Sequence, residues 1–264
     1  MSRGNVVHIA CWFLALSNCS VKDRFTFFPD REVPVHSVPS YASEVMIETS
    51  DGEHLQSFHF SHGKELHRPL IIYFHGNAGN LYYRFDSAIR LYKMGHDVLL
   101  ISYRGYGKSS GSPSESGIYL DGLAAVQYAN QQLGYKDEEL VVFGRSLGST
   151  VAVHISQHKS FKKIILITPL TSGREMAVAM GLGLIKFLAG DSYNSLAKIN
   201  NLSSPLLIIH GKRDQVVPYE MGKTLFDAYR GPKDLVTIPE AGHNDLQEIA
   251  GDHYWNEIKK FLSK

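Results

Sequence analysis

Five short and almost entirely apolar runs constrain the fold of this chain more than any other feature of its sequence. They span residues 70–74, 98–102, 140–143, 164–168 and 206–209. Runs of this length, without regular alternation of apolar and polar residues, are typical of strands that helices bury on both faces. Helical periodicity lies between and after them, over residues 80–94, 114–133, 147–158, 220–229 and 244–262. Because strand and helix patterns alternate, the sequence predicts the α/β class, with a mostly parallel central sheet and helices on both of its faces.

The segment before these runs has a different pattern. Residues 44–60 alternate between apolar and polar on both sides of Ser50, Asp51 and Gly52. Such alternation indicates half-buried strands, and an Asp-Gly pair supplies the positive φ angles of a tight turn. We therefore expect an antiparallel β-hairpin on the N-terminal side of the parallel sheet.

Composition narrows the function classes. The chain of 264 residues is 44% apolar and 20% charged, a globular profile, and residues 21–264 are expected to form a single domain. The 27 basic residues nearly balance the 26 acidic ones and form no basic block, which argues against a nucleic-acid partner. Both cysteines, Cys11 and Cys19, precede this domain. A disulfide framework, a zinc–thiolate site and a cysteine nucleophile are therefore excluded from it.

The first twenty residues have a composition of their own. Arg3 precedes an apolar run over residues 6–16, which small and polar residues and Cys19 follow. One interpretation of residues 1–20 is a secretory or lipoprotein signal lipidated at Cys19, although Asn18 departs from the lipoprotein pattern. The other is an apolar helix on the domain or bilayer surface, since a membrane span needs about 20 residues. The expected location is membrane-associated or exported, with the cytoplasm as the alternative.

The alternation of strands and helices is interrupted over residues 169–200. Within that stretch, residues 176–188 are apolar on nearly every side of a helix. This pattern fits a short helical lid that contributes an apolar acyl pocket, and it also fits a buried crossover helix. We expect the lid.

The sharpest local motif is Gly144-Arg145-Ser146-Leu147-Gly148, which follows an apolar run and opens a predicted helix. In that setting, G-x-S-x-G is typical of a nucleophile elbow, in which a strained turn exposes the serine hydroxyl. The crowding of strand against helix requires small residues at Gly144 and Gly148. The backbone amide of Leu147, at the helix start, points toward the charge that develops when Ser146 attacks a carbonyl carbon.

A serine nucleophile needs a base, and the base needs an acid that orients it. In this fold the chain order is nucleophile, acid, histidine. Among 13 histidines, His243 lies on the loop before the last helix, and Asp214 follows the apolar run 206–209. We predict His243 as the general base and Asp214 as its acid. Asp191, before that run, and Asp245, just after His243, are the competing acids.

A glycine-rich loop, residues 75–80, follows the first buried run. A loop in this position usually gives the second oxyanion donor, which we predict to be the backbone amide of Asn77, beside that of Leu147. The loop also fits a simple helix cap through Asn80. This chemistry needs no metal and no organic cofactor.

These motifs together resemble those of the α/β-hydrolase superfamily and, more narrowly, the BEM46-like serine hydrolases, which include the α/β-hydrolase domain-containing proteins 13 and 17. The matching pieces are FFPDREVP from Phe27, HGNAGN from His75, YRGYGKSSGSPSE from Tyr103, FGRSLGS from Phe143, HGKRDQVVP from His210 and AGHND from Ala241. The resemblance implies the α/β-hydrolase fold, a triad on Ser146, Asp214 and His243, and tethering to membranes through the N-terminal segment. The type 17 proteins act on protein thioesters, but their N-terminal cysteine cluster is absent here, so that substrate is not carried over.

The function predicted is a serine hydrolase that cleaves a small acyl ester or thioester through an acyl-enzyme on Ser146. The alternative is another reaction on the same triad, such as serine peptidase or aminopeptidase chemistry, because a fold and a triad do not fix the substrate. A non-catalytic binding protein of the same fold is the third hypothesis, although the predicted triad has no replaced member. The sequence predicts no oligomeric state.

Overall fold

A computed structural model describes residues 26–34, 38–66, 68–183 and 189–264 of the protein. The predicted signal or anchor, residues 1–20, lies outside these residues, as does part of the predicted lid, residues 184–188. Within the described ranges, no helix is long and apolar enough to cross a membrane.

One sheet of eight strands forms the centre of the fold. The strands are β1 (Ala42–Glu48), β2 (His54–Phe60), β3 (Leu70–Phe74), β4 (Asp97–Ile101), β5 (Leu140–Arg145), β6 (Lys163–Ile167), β7 (Leu206–Gly211) and β8 (Lys233–Ile238). Their spatial order is β1-β2-β4-β3-β5-β6-β7-β8. Strand β2 is antiparallel to both β1 and β4, and every other neighbouring pair is parallel. The predicted sheet and its N-terminal hairpin are confirmed.

Helices cover both faces of this sheet. In the described residues they are α1 (Phe85–Lys93), α2 (Glu115–Gln131), α3 (Leu147–Ile155), α4 (Gly173–Ala179), α5 (Ser195–Lys198), α6 (Tyr219–Ala228), α7 (Leu246–Ala250) and α8 (Asp252–Ser263). Helices α2, α3 and α6 pack with one set of alternating strand residues, such as Ile72 and Phe74. Helices α1 and α8 pack with the other set, such as Ile71 and Tyr73. Because β3 to β7 are buried on both faces, their sequences are almost entirely apolar.

Three local predictions differ from the structure. The hairpin turn takes its positive φ from Gly52 alone, at 87°, and not from the Asp-Gly pair. The predicted closing helix, residues 244–262, is broken at Gly251, where a φ of 51° cannot continue a right-handed helix. The predicted helix at residues 80–94 begins as a 3-10 turn, with Asn80 capping it by accepting a hydrogen bond from the amide of Tyr82 at 3.1 Å.

The connection between β6 and β7 contains the predicted lid. Helix α4 there has no buried residue, and it ends before Gly181, whose φ is 78°. Val178, Met180 and Leu182 expose 42–65% of their surface. The other interpretation, a crossover helix buried in the core, does not fit residues 173–183. The lid itself stays a prediction.

Candidate active site

Ser146 lies on the turn between β5 and α3, with φ 51° and ψ −119°. This is a rare and strained backbone conformation for a residue with a side chain. Its amide donates to the carbonyl of Ile167, at 2.8 Å, which fixes the turn against β6. A Cβ added to Gly148 would lie 2.2 Å from the carbonyl oxygen of Phe74, and one added to Gly144 would lie 2.5 Å from that of Gly148. The predicted need for glycine at both positions is confirmed.

The structure brings together the three side chains predicted to form a triad. The Oγ atom of Ser146 lies 3.1 Å from Nε2 of His243. The Nδ1 atom of the same ring lies 2.7 Å from Oδ2 of Asp214. Parallel strands end at one edge of a sheet, so β5 and β7 deliver Ser146 and Asp214 to the same edge. The geometry matches a nucleophile, a base and an orienting acid joined in one hydrogen-bonded chain.

Asp214 is buried and satisfied on both carboxylate oxygens. Its Oδ1 accepts from the amides of Val216 and Val217, both at 2.8 Å, and His210 lies 3.4 Å from its Oδ2. Burial alone would raise the pKa of Asp214, but the hydrogen bonds from His210 and His243, the charge of His243 and the Val217 amide outweigh it. The pKa of this carboxyl is therefore held well below its usual range, which keeps it ionised beside the imidazole.

The two competing acids have other positions. Asp191 is exposed and lies 3.7 Å from the guanidinium of Arg174, on the connection between β6 and β7. Asp245 accepts from the amide of Gly242 at 2.7 Å and so braces the loop that carries His243. Asp214 alone among the three predicted acids contacts the ring of His243.

Arg145 is a site residue that the sequence analysis did not identify. Its guanidinium donates to the backbone carbonyl of His243 at 3.0 Å, across 98 positions of the chain. The elbow therefore holds the histidine loop as well as the nucleophile. The only signal in the sequence is a long cationic side chain at the first variable position of G-x-S-x-G, directly before Ser146.

The predicted oxyanion donors lie beside Ser146. A Cβ added to Gly76 would lie 3.4 Å from Cβ of Ser146, which places the start of the 75–80 loop against the nucleophile. Asn77 comes next in the chain, and Leu147 follows Ser146 at the first position of α3. Neither backbone amide donates to another described residue in the hydrogen-bond network. The oxyanion role of both amides stays a prediction.

His75 shows why a histidine near the site is not automatically a base. Its ring is fully buried, and Nδ1 bonds the carbonyl of Gly76 at 2.6 Å. Burial first, and then the nearby charge of Arg84, lower the pKa of His75 to about 3. It is neutral at physiological pH and holds the loop. In the described residues, no group of three or more histidine, cysteine or acidic side chains could hold a metal ion.

Known proteins share this architecture. A family model for the α/β hydrolase fold matches residues 69–190. An uncharacterized protein of Mycobacterium tuberculosis is 33% identical over 93% of this chain and 88% of its own length. The α/β hydrolase domain-containing protein WAV2 of Arabidopsis thaliana is 30% identical, over 84% of this chain and 78% of its own. Human α/β hydrolase domain-containing protein 17B is 32% identical, over 74% of this chain and 66% of its own.

Solved structures agree on the fold. An esterase of Pyrococcus furiosus superposes with a TM-score of 0.75, at 21% identity, over 89% of this chain and 98% of that one. Acetyl xylan esterase 1 of a Thermoanaerobacterium species superposes with a TM-score of 0.68, at 16% identity, over 87% and 86% of the two chains. The strand order, the elbow and these relatives together show that the chain belongs to the α/β-hydrolase family, among the BEM46-like proteins related to WAV2 and to protein 17B.

Proposed function

We propose that this protein is a serine hydrolase that cleaves carboxylic esters or thioesters, with Ser146 as nucleophile, His243 as general base and Asp214 as the acid that orients it. The observation that carries the proposal is the continuous hydrogen-bonded chain from Ser146 Oγ through the His243 ring to Asp214. It begins at a strained turn, on which Ser146 is partly buried. No residue of this chain is needed as a ligand for a cofactor in such a reaction.

Acylation follows from these positions. Ser146 Oγ attacks the acyl carbon while its proton moves to His243 Nε2, and the carbonyl electron pair moves to the oxygen. The amides of Asn77 and Leu147 donate to that oxyanion. Asp214 stabilises the imidazolium and holds its Nδ1 proton in place. The bond to the leaving oxygen or sulfur then breaks, and His243 returns its proton to the leaving group.

Deacylation repeats the same steps with water. His243, neutral again, removes a proton from a water molecule that attacks the acyl carbon. The tetrahedral intermediate collapses, Ser146 Oγ leaves, and it takes the proton back from His243. The products are a carboxylic acid and an alcohol or thiol, and the enzyme is restored.

Exposed apolar side chains on the connection after β6 and beside Asp214 support an acyl substrate over a peptide. Met180 and Leu182 are exposed on the connection after β6, and Val216 is exposed two residues after Asp214. We take residues 169–200 to be a lid that lends such side chains to the acyl chain. The two solved neighbours described above are named as esterases, which supports ester chemistry. Thioesters react by the same steps, because the leaving sulfur needs no further group.

A fluorophosphonate label on the purified protein tests the nucleophile. We expect labelling of the wild type and none of Ser146→Ala, while the exposed serine control Ser160→Ala labels normally. Labelling that persists in Ser146→Ala would contradict the assignment. Turnover of p-nitrophenyl esters of increasing acyl length, thioesters and aminoacyl amides then ranks the substrates. A faster reaction with the amides would favour the peptidase alternative.

We also propose that the protein associates with membranes or is exported through residues 1–20. The apolar run 6–16 and Cys19 support this. Intact-mass measurement of the protein from its native membrane fraction tests it, with a cleaved and diacylated N-terminus at Cys19 as the lipoprotein outcome. An unmodified Met1 on a protein found only in the soluble fraction contradicts it.

A further inference from the structure

The first described residues of the chain lie across the loops that follow β3 and β4. We call residues 26–32 the N-terminal strap. It pairs with the β3 loop through a parallel bridge between Pro29 and Gly79. The amide of Gly107, in the β4 loop, donates to the carbonyl of Asp30 at 2.8 Å. The side-chain amide of Asn80 donates to the backbone carbonyl of Glu32 at 2.7 Å. The strap is thereby built into the edge of the sheet that carries Ser146.

The side chain of Asn77 joins the strap to the candidate oxyanion hole. Its amide group donates to the carbonyl of Thr26. Its Oδ1 accepts from the amide of Phe28 at 3.1 Å and from the hydroxyl of Tyr106 at 2.9 Å. These three bonds all lead to the strap and to the β4 loop. The side chain is therefore engaged away from the reacting atoms, while the backbone amide of the same residue donates to no other residue that the structure describes.

A second contact extends the strap toward the other side of the site. The buried ring of Phe27 meets Tyr193 edge to face, with ring centroids 6.4 Å apart. Tyr193 lies on the connection between β6 and β7, which is the predicted lid. The strap thus touches both segments that would border a bound acyl group.

The orientation of Asn77 matters because, in the proposed reaction, this residue acts on the oxyanion only through its backbone amide. An oxyanion-hole amide acts through its fixed direction, aimed where charge develops in the transition state. Gly76 permits the close approach to Ser146, but a glycine leaves the chain free to rotate. A side chain anchored at three points on the next residue removes that freedom.

We propose that the N-terminal strap is a positioning element of the oxyanion hole, and that it acts through the side-chain hydrogen bonds of Asn77. This inference rests on the proposed function, since it assigns the amide of Asn77 to the oxyanion. The residues that act here, Thr26, Phe28 and Tyr106, touch no reacting atom. They set the direction of an amide that does.

Asn77→Ala is the direct test, because it removes the three bonds and keeps the backbone amide. We expect kcat for a short p-nitrophenyl ester to fall about tenfold to a hundredfold, less than the loss of a whole oxyanion donor, which is roughly 10²–10³-fold. KM should stay within about threefold, since the substrate carbonyl gains the interaction only in the transition state. The Ki of a trifluoromethyl ketone, whose adduct carries the oxyanion, should rise by the same factor as kcat falls. Rates are expressed per active site titrated with fluorophosphonate.

Two tyrosines, one that bonds Asn77 and one that bonds the strap, supply a matched pair of milder variants. Tyr106→Phe removes one bond to Asn77, and we expect a three- to tenfold fall in kcat, from a hydrogen bond worth roughly 1 kcal/mol. Tyr83→Phe removes the bond from an exposed hydroxyl to Asp30, at 3.2 Å, and leaves every contact of Asn77 in place. It should turn over like the wild type.

The outcomes separate this inference from the proposed function. Wild-type kcat per titrated site in both Asn77→Ala and Tyr106→Phe would overturn the positioning role and leave the hydrolase intact. A loss confined to KM or to the melting temperature, with an unchanged inhibitor Ki, would overturn it as well. A wild-type protein that takes no label and cleaves no ester or thioester would overturn the proposed function and, with it, this inference.

Discussion

Two histidine–aspartate pairs lie at opposite edges of the sheet. At the carboxyl edge, His243 Nδ1 is 2.7 Å from Asp214. At the amino edge, His62 Nδ1 is 2.9 Å from Asp97, the first residue of β4. Both aspartates are buried, and hydrogen bonding outweighs the effect of burial to lower the pKa of each. The two pairs are nearly alike in the distance between histidine and aspartate, in the burial of the aspartate and in the direction of its pKa shift.

They differ in what lies on the far side of the ring. The Nε2 atom of His243 faces the hydroxyl of Ser146 on a strained turn. The ring of His62 instead stacks on Tyr92, with centroids 3.9 Å apart, and Asp97 also accepts from the hydroxyl of Tyr135 at 2.9 Å. In the proposed reaction the first pair passes a proton, whereas the second pair holds loops together. A histidine–aspartate pair therefore marks a candidate active site only where a nucleophile completes it.

The largest expected effect separates the two histidines. Ser146→Ala and His243→Ala should each lower kcat for an ester by about 10⁶-fold, the loss seen when the serine or the histidine of a serine protease triad is removed. His62→Ala should leave kcat within about twofold. Steady-state kinetics on active-site-titrated enzyme measure both. A comparable loss in His62→Ala would remove the distinction between the pairs.

The second-largest expected effect on kcat separates the two aspartates. Asp214→Asn keeps the shape of the acid but removes its charge, and we expect kcat to fall about 10⁴-fold because the imidazole is left in the wrong tautomer. Asp97→Asn should not change kcat. Full activity in Asp214→Asn would show that His243 is oriented by another group, and the nearby His210 and Asp245 would then be tested.

A smaller effect is expected at Arg145, which bonds the loop that carries His243. Arg145→Lys replaces the guanidinium that bonds the carbonyl of His243. We expect a roughly tenfold to hundredfold loss of kcat, since small displacements of a catalytic group have costs of that size. Activity measured from pH 5 to 9 should fall by a similar factor throughout. An unchanged kcat would limit Arg145 to a surface role.

The amino-edge pair should appear in stability instead. Asp97→Asn replaces one accepting carboxylate oxygen with an NH2 group, so that a group that now donates to Asp97, such as the Tyr135 hydroxyl, loses its acceptor. We expect the free energy of unfolding to fall by about 2 kcal/mol. Urea denaturation of Asp97→Asn and the wild type measures this difference. A variant as stable as the wild type would mean that the network at this edge contributes no net stability.

The smallest effect is the pH dependence of that difference. The folded-state pKa of Asp97 is lowered, so its contribution to stability is present above the unfolded pKa of about 3.9 and is lost as the pH falls through the folded value. The wild type should therefore begin to lose its advantage over Asp97→Asn as the pH falls below about 4, and should continue to lose it as the pH approaches the lowered folded-state pKa. An advantage that grows on acidification would reverse the sign of the argument.

Much of this fold could be predicted because its signals are local. Each buried strand is an almost continuous apolar run. The elbow consists of five adjacent residues, and its two glycines are required by close contacts with the backbone. Strand β8 was not predicted as a strand, since it lies at the sheet edge, half-buried and of mixed composition. The break at Gly251 was missed because a lone glycine in a helical pattern gives no sign of its φ.

The candidate site was predictable only in part. Chain order and strand ends selected Ser146, Asp214 and His243 from many serines, acids and histidines, and their catalytic roles stay predictions that the geometry supports. The contact of Arg145 with His243, and the strap beneath Asn77, join residues far apart in the sequence. No spacing rule encodes such contacts, because they depend on how finished elements are stacked.

The backbone of Ser146 has a consequence for how this protein would change over time. A side chain held at a φ of 51° costs about 1–3 kcal/mol, whereas glycine accepts that angle without strain. A glycine there would give a sturdier molecule with no nucleophile. Selection for the stability of the fold alone would favour that replacement. A lineage that no longer needs the reaction should therefore lose the serine early. The residue most needed for chemistry is also the one that stability, left to itself, would remove.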